Sequence, residues 1–393
     1  MVIADSAELR KSREDLVASL VSSGALRSRP WRDAFASVPR HIFVPCFFDR
    51  TNNNGKFVRI DSESQDDRDA WLRAVYSDET LITQLDGEND AGAAGNTAAV
   101  PTSSSTAPGL MAVMLEALEI SDGMNVLEIG TGTGYNAGLL CERLGSNHVS
   151  STDIDPVLVD AARRRLRMLD YTPRLAAGNG LAGYPANAPY DRIVATVAVP
   201  AIPPTWIAQS AAKGRILANL YRELGSGALA LLAVNGQLAE GHFVAQYGGF
   251  MPVRSCPVAS ALSLVRKARG TTGEERVTQV AGQVLDNPSF AFLAALLVPG
   301  QRLEVEPEAR PREFWLVGRD GSWACQMMDR RGRLIVNQHG RHRLWDILED
   351  TFNAWTSLGE PPRESFGLTI TADGCHTLWH AHPGGIAWPL DTA

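Results

Sequence analysis

The stretch Val126-Leu127-Glu128-Ile129-Gly130-Thr131-Gly132-Thr133-Gly134-Tyr135 decides how this chain is read. An apolar run ends in a glycine-rich turn, and Asn136 to Leu144 follows with small and apolar residues at helical spacing. That order predicts a buried strand, a loop without side chains to block a ligand, and a helix start. Glycine lets the backbone approach a ligand closely, and a helix N-terminus presents unpaired N–H groups. A nucleotide-like cofactor is the expected guest.

Downstream, the pattern alternates. Val149 to Asp153 reads as a strand, Pro156 to Leu169 as a helix, and Arg174 to Ala177 as a short segment leading into Gly178-Asn179-Gly180. Ile193 to Val199 is a β-branched strand, and further strands are expected near 214–220, 229–234 and 236–247. Strands alternating with helices predict a mainly parallel sheet covered on both faces. Upstream, residues 8–25 and 31–38 read as helices. Val38 to Pro45 is bracketed by prolines, and Thr51 to Asp69 is a turn-rich, acidic surface insertion. Residues 86–107 are rich in small polar residues. They fit either a flexible linker and N-cap ahead of a helix at 108–118, or a gate whose hydroxyls meet a ligand above the glycine turn.

Lys267 to Arg276 is charged, glycine-containing and poor in apolar residues, which marks a boundary. Beyond it, a helix near 290–297 precedes an antiparallel meander at 314–317, 323–328 and 334–336. A helix at 342–358 and a hairpin at 367–380 follow. The expected fold class is therefore α/β: a Rossmann-like catalytic domain over 1–265, then a smaller C-terminal α+β domain over 277–393. The first comprises a helical entry segment 1–85, a loop 86–107 and a core 108–265; residues 266–276 form a linker.

Composition narrows the function classes. A net charge of −7 argues against a general nucleic-acid-binding surface. The five cysteines are odd in number and scattered, with no Cys-x-x-Cys pair, so neither a disulfide framework nor a cysteine zinc site is indicated. No basic region followed by an apolar stretch opens the chain, and the longest apolar run, Phe290 to Val298, is too short to cross a bilayer. A soluble, cytoplasmic protein without a membrane partner is expected.

Three guests compete for the glycine turn. A phosphate-binding P-loop needs a lysine that does not follow here, and a dinucleotide site prefers Gly-x-Gly-x-x-Gly, whose third glycine is replaced by Tyr135. Glu128, inside the strand, suits a cationic methionyl ammonium better than an anionic pyrophosphate. Asp153, nineteen residues beyond Gly134, suits a ribose diol, with helix N-capping as its structural alternative. The cofactor expected is S-adenosylmethionine. Its candidate contacts are Glu128, Gly130, Thr131, Gly132, Gly134, Tyr135, Asp153, Ile154, Asn179 and Gly180.

In order along the chain, Val38–Pro45, Ser104-Ser105-Thr106-Ala107-Pro108, Val126–Tyr135, Asp153–Pro156, Gly178-Asn179-Gly180 and Ala188–Pro200 resemble the motifs of protein-L-isoaspartate O-methyltransferases. The resemblance spans roughly residues 31–260 and implies a carboxyl methyltransferase using S-adenosylmethionine. It also implies an acceptor loop at Ser103, Ser104, Ser105 and Thr106. Two departures stand out: Thr106 takes the place of the family's active-site serine, and Asn179 that of an aspartate. The C-terminal domain is not expected in the repair enzymes. With it, the chain is similar to the methyltransferases of ATP-grasp peptide-maturation (graspetide) systems and to related lanthipeptide-pathway enzymes. That implies an aspartate side chain of a ribosomally made precursor peptide as acceptor, with aspartimide or isoaspartate as the outcome. Repair-type isoaspartate methylation is the alternative, and a non-catalytic peptide carrier on the same fold is a third reading.

Arg40 and His41 read as helix-end surface charges or as partners for the peptide acid. In the C-terminal domain Trp315, Trp323, Trp345, Trp355, Trp379 and Trp388 read chiefly as core, with peptide recognition as the alternative. His376, His380 and His382 share a strand face but lack a carboxylate partner, and no metal site is assigned.

Overall fold

The computed structural model describes residues 6–50, 57–86, 99–256, 259–305 and 312–391. The chain divides into two compact units. The first comprises Met1–Val197, Pro203–Ala218 and Ala233–Gln237, and the second Ala198–Ile202, Asn219–Leu232 and Leu238–Ala393.

In the first unit, the glycine stretch forms the strand Val126–Ile129, all four residues buried, and the helix Tyr135–Leu144. The strand pairs in parallel with Val149–Asp153 on one side and Tyr190–Val199 on the other, and Arg174–Ala177 follows Val149–Asp153. Chain order thus reverses beside Val126–Ile129. A crevice opens beyond the carboxyl ends of strands at such a switch point, and the glycine turn lies there. Helix Pro156–Arg167 starts on Asp155, whose carboxylate accepts from the Val157 N–H at 2.9 Å. The N-cap role considered for Asp153 therefore belongs to Asp155.

Upstream, helices Ala7–Ser22 and Arg29–Ser37 and the short turn Arg40–Phe43 precede a four-stranded sheet. Residues 57–61 of the expected insertion form a strand, Phe57–Asp61, antiparallel to Cys46–Arg50, so this part is ordered pairing rather than turn. Likewise Pro101–Ser105 is a strand paired with Leu81–Leu85, not a flexible linker. The helix after it, Pro108–Ala117, receives its cap from Asp78, which accepts from the Gly109 N–H at 2.6 Å. Of the expected gate, residues 87–98 lie outside the described residues.

The second unit is α+β. Gln301–Val305, Glu313–Val317, Trp323–Met328 and Leu334–His339 form the meander, and Glu274–Val277 joins its far edge. Leu238–Tyr247, Phe366–Ile370, His376–His380 and Ala387–Leu390 form a second antiparallel set. Residues 266–276 are not an irregular tether. They hold the end of helix Ala261–Ala268 and the start of strand Glu274–Val277, where Arg276 bonds Asp346 and Glu349 of helix Leu344–Ser357. Trp315, Trp323, Trp345, Trp355 and Trp379 are all buried, which places them in the core. His376 is buried too: its Nε2 accepts from the Ile202 N–H at 3.0 Å and its Nδ1 donates to the Gly374 carbonyl at 2.8 Å. Among the described residues no helix is long and apolar enough to cross a membrane.

Candidate active site

Backbone geometry explains the glycines. Gly130, Gly132 and Gly134 have φ of 101°, 51° and 89°, in the left-handed region that side chains disfavour. A Cβ on Gly134 would stand 2.9 Å from that of Ala162, so the absence of a side chain lets helix Pro156–Arg167 close on the turn. Gly134→Ala is expected to cost about 1–2 kcal/mol from φ alone and to weaken S-adenosylmethionine about tenfold. Thermal unfolding and calorimetric titration check this; unchanged affinity would contradict the turn's role.

Glu128 lies beneath the turn, 1% exposed. Its Oε1 accepts from Asn136 Nδ2 at 2.8 Å and its Oε2 from Ser151 Oγ at 2.5 Å. The Thr131 hydroxyl joins the same group at 2.7 Å from Ser151 Oγ. Burial pushes the Glu128 carboxyl up from the usual 4.5 to about 7, against the pull of Ser151 and Asn136. Tyr135 turns its ring into the core against Phe35 and Phe43, so what it brings to the turn is backbone.

Asp153 ends its strand with Oδ2 accepting from the Gly132 N–H at 2.9 Å and Oδ1 from the Asp155 N–H at 3.1 Å. Beside it Ile154 is an apolar side chain 42% exposed. Asn179 is exposed at the end of Arg174–Ala177, where its Oδ1 accepts from the Leu181 N–H at 3.1 Å. Gly180 follows in the same turn, and a Cβ there would lie 2.5 Å from Ile129 Cγ2. Turn, Asp153 and Asn179-Gly180 thus stand at the ends of three adjacent strands.

The Ser/Thr strand lies across this surface. Ser103 Oγ and the Ser104 carbonyl are each 3.7 Å from the point a Gly132 Cβ would occupy. Ser103 and Ser105 are buried; Ser104 and Thr106 are half-buried. A fully buried Arg40 holds the strand. It donates to the carbonyls of Val75, Ser77, Glu79, Ser105 and Thr106 at 2.9–3.3 Å, and to Ser105 Oγ at 3.3 Å. His41, 1% exposed, bonds the Tyr76 hydroxyl at 2.7 Å. The surface-charge reading fails for both residues.

Several contributors carry no motif of their own. Thr102 donates to Gln84 at 2.8 Å and Gln84 to Asp155 at 3.1 Å, so the acceptor strand is latched to the helix that follows Asp153. The Thr196 hydroxyl donates to the Gly130 carbonyl at 2.6 Å. Strand alternation placed Ser151 and Asp153 on one face, but the partner of Ser151 depends on register across strands.

These residues suit S-adenosylmethionine. The turn carries no side chain at Gly132, an acidic pair (Glu128, Asp153) replaces the cations a pyrophosphate needs, and an exposed apolar side chain stands beside Asp153. The buried Asn136 Oδ1, which has no hydrogen-bond partner among the described residues, is an acceptor left over next to Glu128.

The comparisons agree. The family model of protein-L-isoaspartate(D-aspartate) O-methyltransferase matches residues 11–224. The protein-L-isoaspartate O-methyltransferase of Thermococcus sibiricus is 32% identical over 227 residues, which is 56% of this chain and 85% of that protein. Protein-L-isoaspartate O-methyltransferase 2 of Archaeoglobus fulgidus is 40% identical over 192 residues, 48% of this chain and 70% of its own. A solved protein-L-isoaspartate O-methyltransferase structure aligns over 94% of this chain and 100% of its own, at 22% identity and a TM-score of 0.53. That likeness concerns fold. It extends well past residue 224, covering the second unit as well. The chain belongs to the protein-L-isoaspartate O-methyltransferase family, whose members are S-adenosylmethionine-dependent carboxyl methyltransferases.

Proposed function

We propose that this chain methylates the free carboxylate of an isoaspartyl residue in a protein or peptide. The observation that carries this reading is the strand Pro101–Ser105 lying over Gly132, which puts hydroxyls and backbone beside the cofactor turn. When bound, S-adenosylmethionine supplies an electrophilic methyl on a sulfonium. The carboxylate oxygen forms the new C–O bond as the C–S bond breaks, leaving a methyl ester and a neutral thioether. A carboxylate with a pKa near about 4 is already ionised, so no strong base is required. The residues' task is to position the acceptor and exclude water. Opposite charges are consumed in the transfer, so a dry site favours it.

Ser104 and Thr106 are half-buried hydroxyl residues at the end of the strand and its exit, and in this reading they hold the acceptor oxygens. Glu128, Gly130, Gly132, Gly134, Asp153, Ile154, Asn179 and Gly180 hold the cofactor. Thr106→Ala is expected to lower kcat/KM for an isoaspartyl peptide about tenfold, while Thr106→Ser restores it. Equal activity of all three proteins would remove Thr106 from the site.

The second reading is peptide maturation, in which an aspartate side chain of a precursor peptide is methylated and the backbone nitrogen of the next residue then displaces methanol to give aspartimide. Thr106 in the serine position supports an altered acceptor, whereas Asn179 in the aspartate position bears on cofactor binding and points to the carrier alternative. Purified protein given S-adenosylmethionine and either an isoaspartyl or the matching aspartyl peptide separates the two. Methylation of the isoaspartyl peptide alone supports repair, and methylation of the aspartyl peptide followed by loss of methanol supports maturation. Absence of cofactor binding heat would leave a non-catalytic carrier.

A further inference from the structure

Within the first unit, the paired strands Cys46–Arg50 and Phe57–Asp61 face helix Pro156–Arg167 across a cavity of about 420 Å³. The methyl transfer described above makes no use of it. Its lining combines apolar Ile42 and Met168 with Arg59, Arg164 and Arg165, of which Arg59 and Arg165 act on Cys46. Arg59 is matched at 2.8 Å by Asp61. Glu63 borders the cavity as well, so three guanidiniums stand against two carboxylates.

Arg164 and Arg165 are adjacent like charges. Arg165 is half-buried, and it donates to the Thr133 carbonyl at 3.2 Å, not to an acid. Arg164 makes no ion pair or hydrogen bond among the described residues. Burial pushes the Cys46 thiol up, so it stays neutral and does not serve as their counter-ion. Arg165 is partly desolvated and Arg164 is exposed beside it, and such guanidiniums favour a carboxylate or similar planar anion, which they bind in a fork.

The cavity also touches the site. Arg165 bonds the glycine turn, and His41 in the cavity wall directly follows Arg40, which holds Ser105 and Thr106. We propose that this cavity is a carboxylate subsite, in which Arg164 and Arg165 take an acidic group carried on a short apolar stem. The source is either a glutamate flanking the acceptor residue of the peptide or a free dicarboxylate of similar size. The peptide form rests on the proposed function; the free form does not.

The test uses the full chain saturated with S-adenosylhomocysteine, titrated with glutarate by calorimetry. In parallel, methylation is measured on isoaspartyl peptides carrying Glu or Gln at each of the three positions on either side of the acceptor. If the peptide is the source, one Glu position lowers KM about fivefold or more against Gln, and Arg164→Ala collapses that ratio to one. If a free acid is the source, glutarate binds one-to-one, Arg164→Ala weakens it at least tenfold, and the peptide ratio stays at one. In both cases Arg164→Ala leaves S-adenosylhomocysteine affinity within twofold, which separates a lost subsite from a damaged fold. Neither glutarate binding nor a Glu preference, or either one unaffected by Arg164→Ala, overturns the proposal. If no peptide is methylated, the proposed function fails, while the glutarate titration still decides the cavity.

Discussion

Arg40→Met is expected to lower unfolding stability by roughly 3 kcal/mol or more, because it removes several buried hydrogen bonds from a charged donor, each worth about 1.5–3 kcal/mol and not additive. The side chain is fully buried, and five carbonyls drawn from two stretches of chain depend on it. Burial pulls the guanidinium down to about 10, so it remains charged at neutral pH. Methionine fills much of the volume but donates nothing, leaving those carbonyls without their partner. Arg40→Lys keeps the charge yet presents three donors from one point instead of a planar fork, and recovers little. Because Ser105 and Thr106 are among the acceptors, activity in Arg40→Lys should fall through kcat more than through the KM for cofactor. Urea unfolding and steady-state kinetics give both readings. A loss below about 1 kcal/mol in Arg40→Met, with activity kept within twofold, would mean that the acceptor strand is held by other contacts.

Arg40 also shows where sequence reading stops. The elements were legible because their signals are local: β-branched runs, glycine at left-handed positions, and the alternation that set a parallel core apart from a meander. The turn, Asp153 and Asn179-Gly180 were legible as a set because each ends a strand of the same sheet. Partnership between distant residues was not. Glu128 lies opposite Ser151 only once two strands are paired in register. An arginine in Val-Pro-Arg-His has the same composition whether it meets solvent or five carbonyls. The strand Pro101–Ser105 read as a linker or a gate, not as a strand, because its residues are small and polar and its pairing with Leu81–Leu85 spans a stretch of chain that carries no periodic signal. Trp315, Trp323 and Trp379 obeyed the general tendency of aromatic residues in short strands to be core, while Trp388 is half-buried.

Glu128 makes the second large expectation, in which pH acts on cofactor affinity and on stability in opposite directions. With the folded-state carboxyl raised to about 7 from 4.5, the native protein binds more protons than the unfolded chain between those values. Stability from this group is therefore fully present below 4.5 and is lost as pH rises through about 7. At pH 8 the ligand-free protein holds a buried anion at a cost of about 3 kcal/mol, since each pH unit separating the folded and unfolded values is worth roughly 1.4 kcal/mol. Glu128→Gln removes that cost and should be more stable than the parent at pH 8 but not at pH 4.5. Affinity runs the other way. In the proposed site the anion, relayed by Asn136, meets the methionyl ammonium, so S-adenosylmethionine and S-adenosylhomocysteine should both bind about tenfold tighter at pH 8 than at pH 6. That factor is the ratio of ionised fractions one unit either side of a pKa of about 7. 5′-Methylthioadenosine, which lacks the ammonium, should show no such rise. Glu128→Gln should bind the two amino-acid-bearing ligands on the order of a hundredfold more weakly, about 2.7 kcal/mol, and without dependence on pH. Calorimetric titration at the two pH values, paired with urea unfolding, reads both effects. If parent affinity is flat between pH 6 and 8, Glu128 is an anchor for Asn136 and Ser151 alone, and the turn recognises its cofactor through backbone and Asp153.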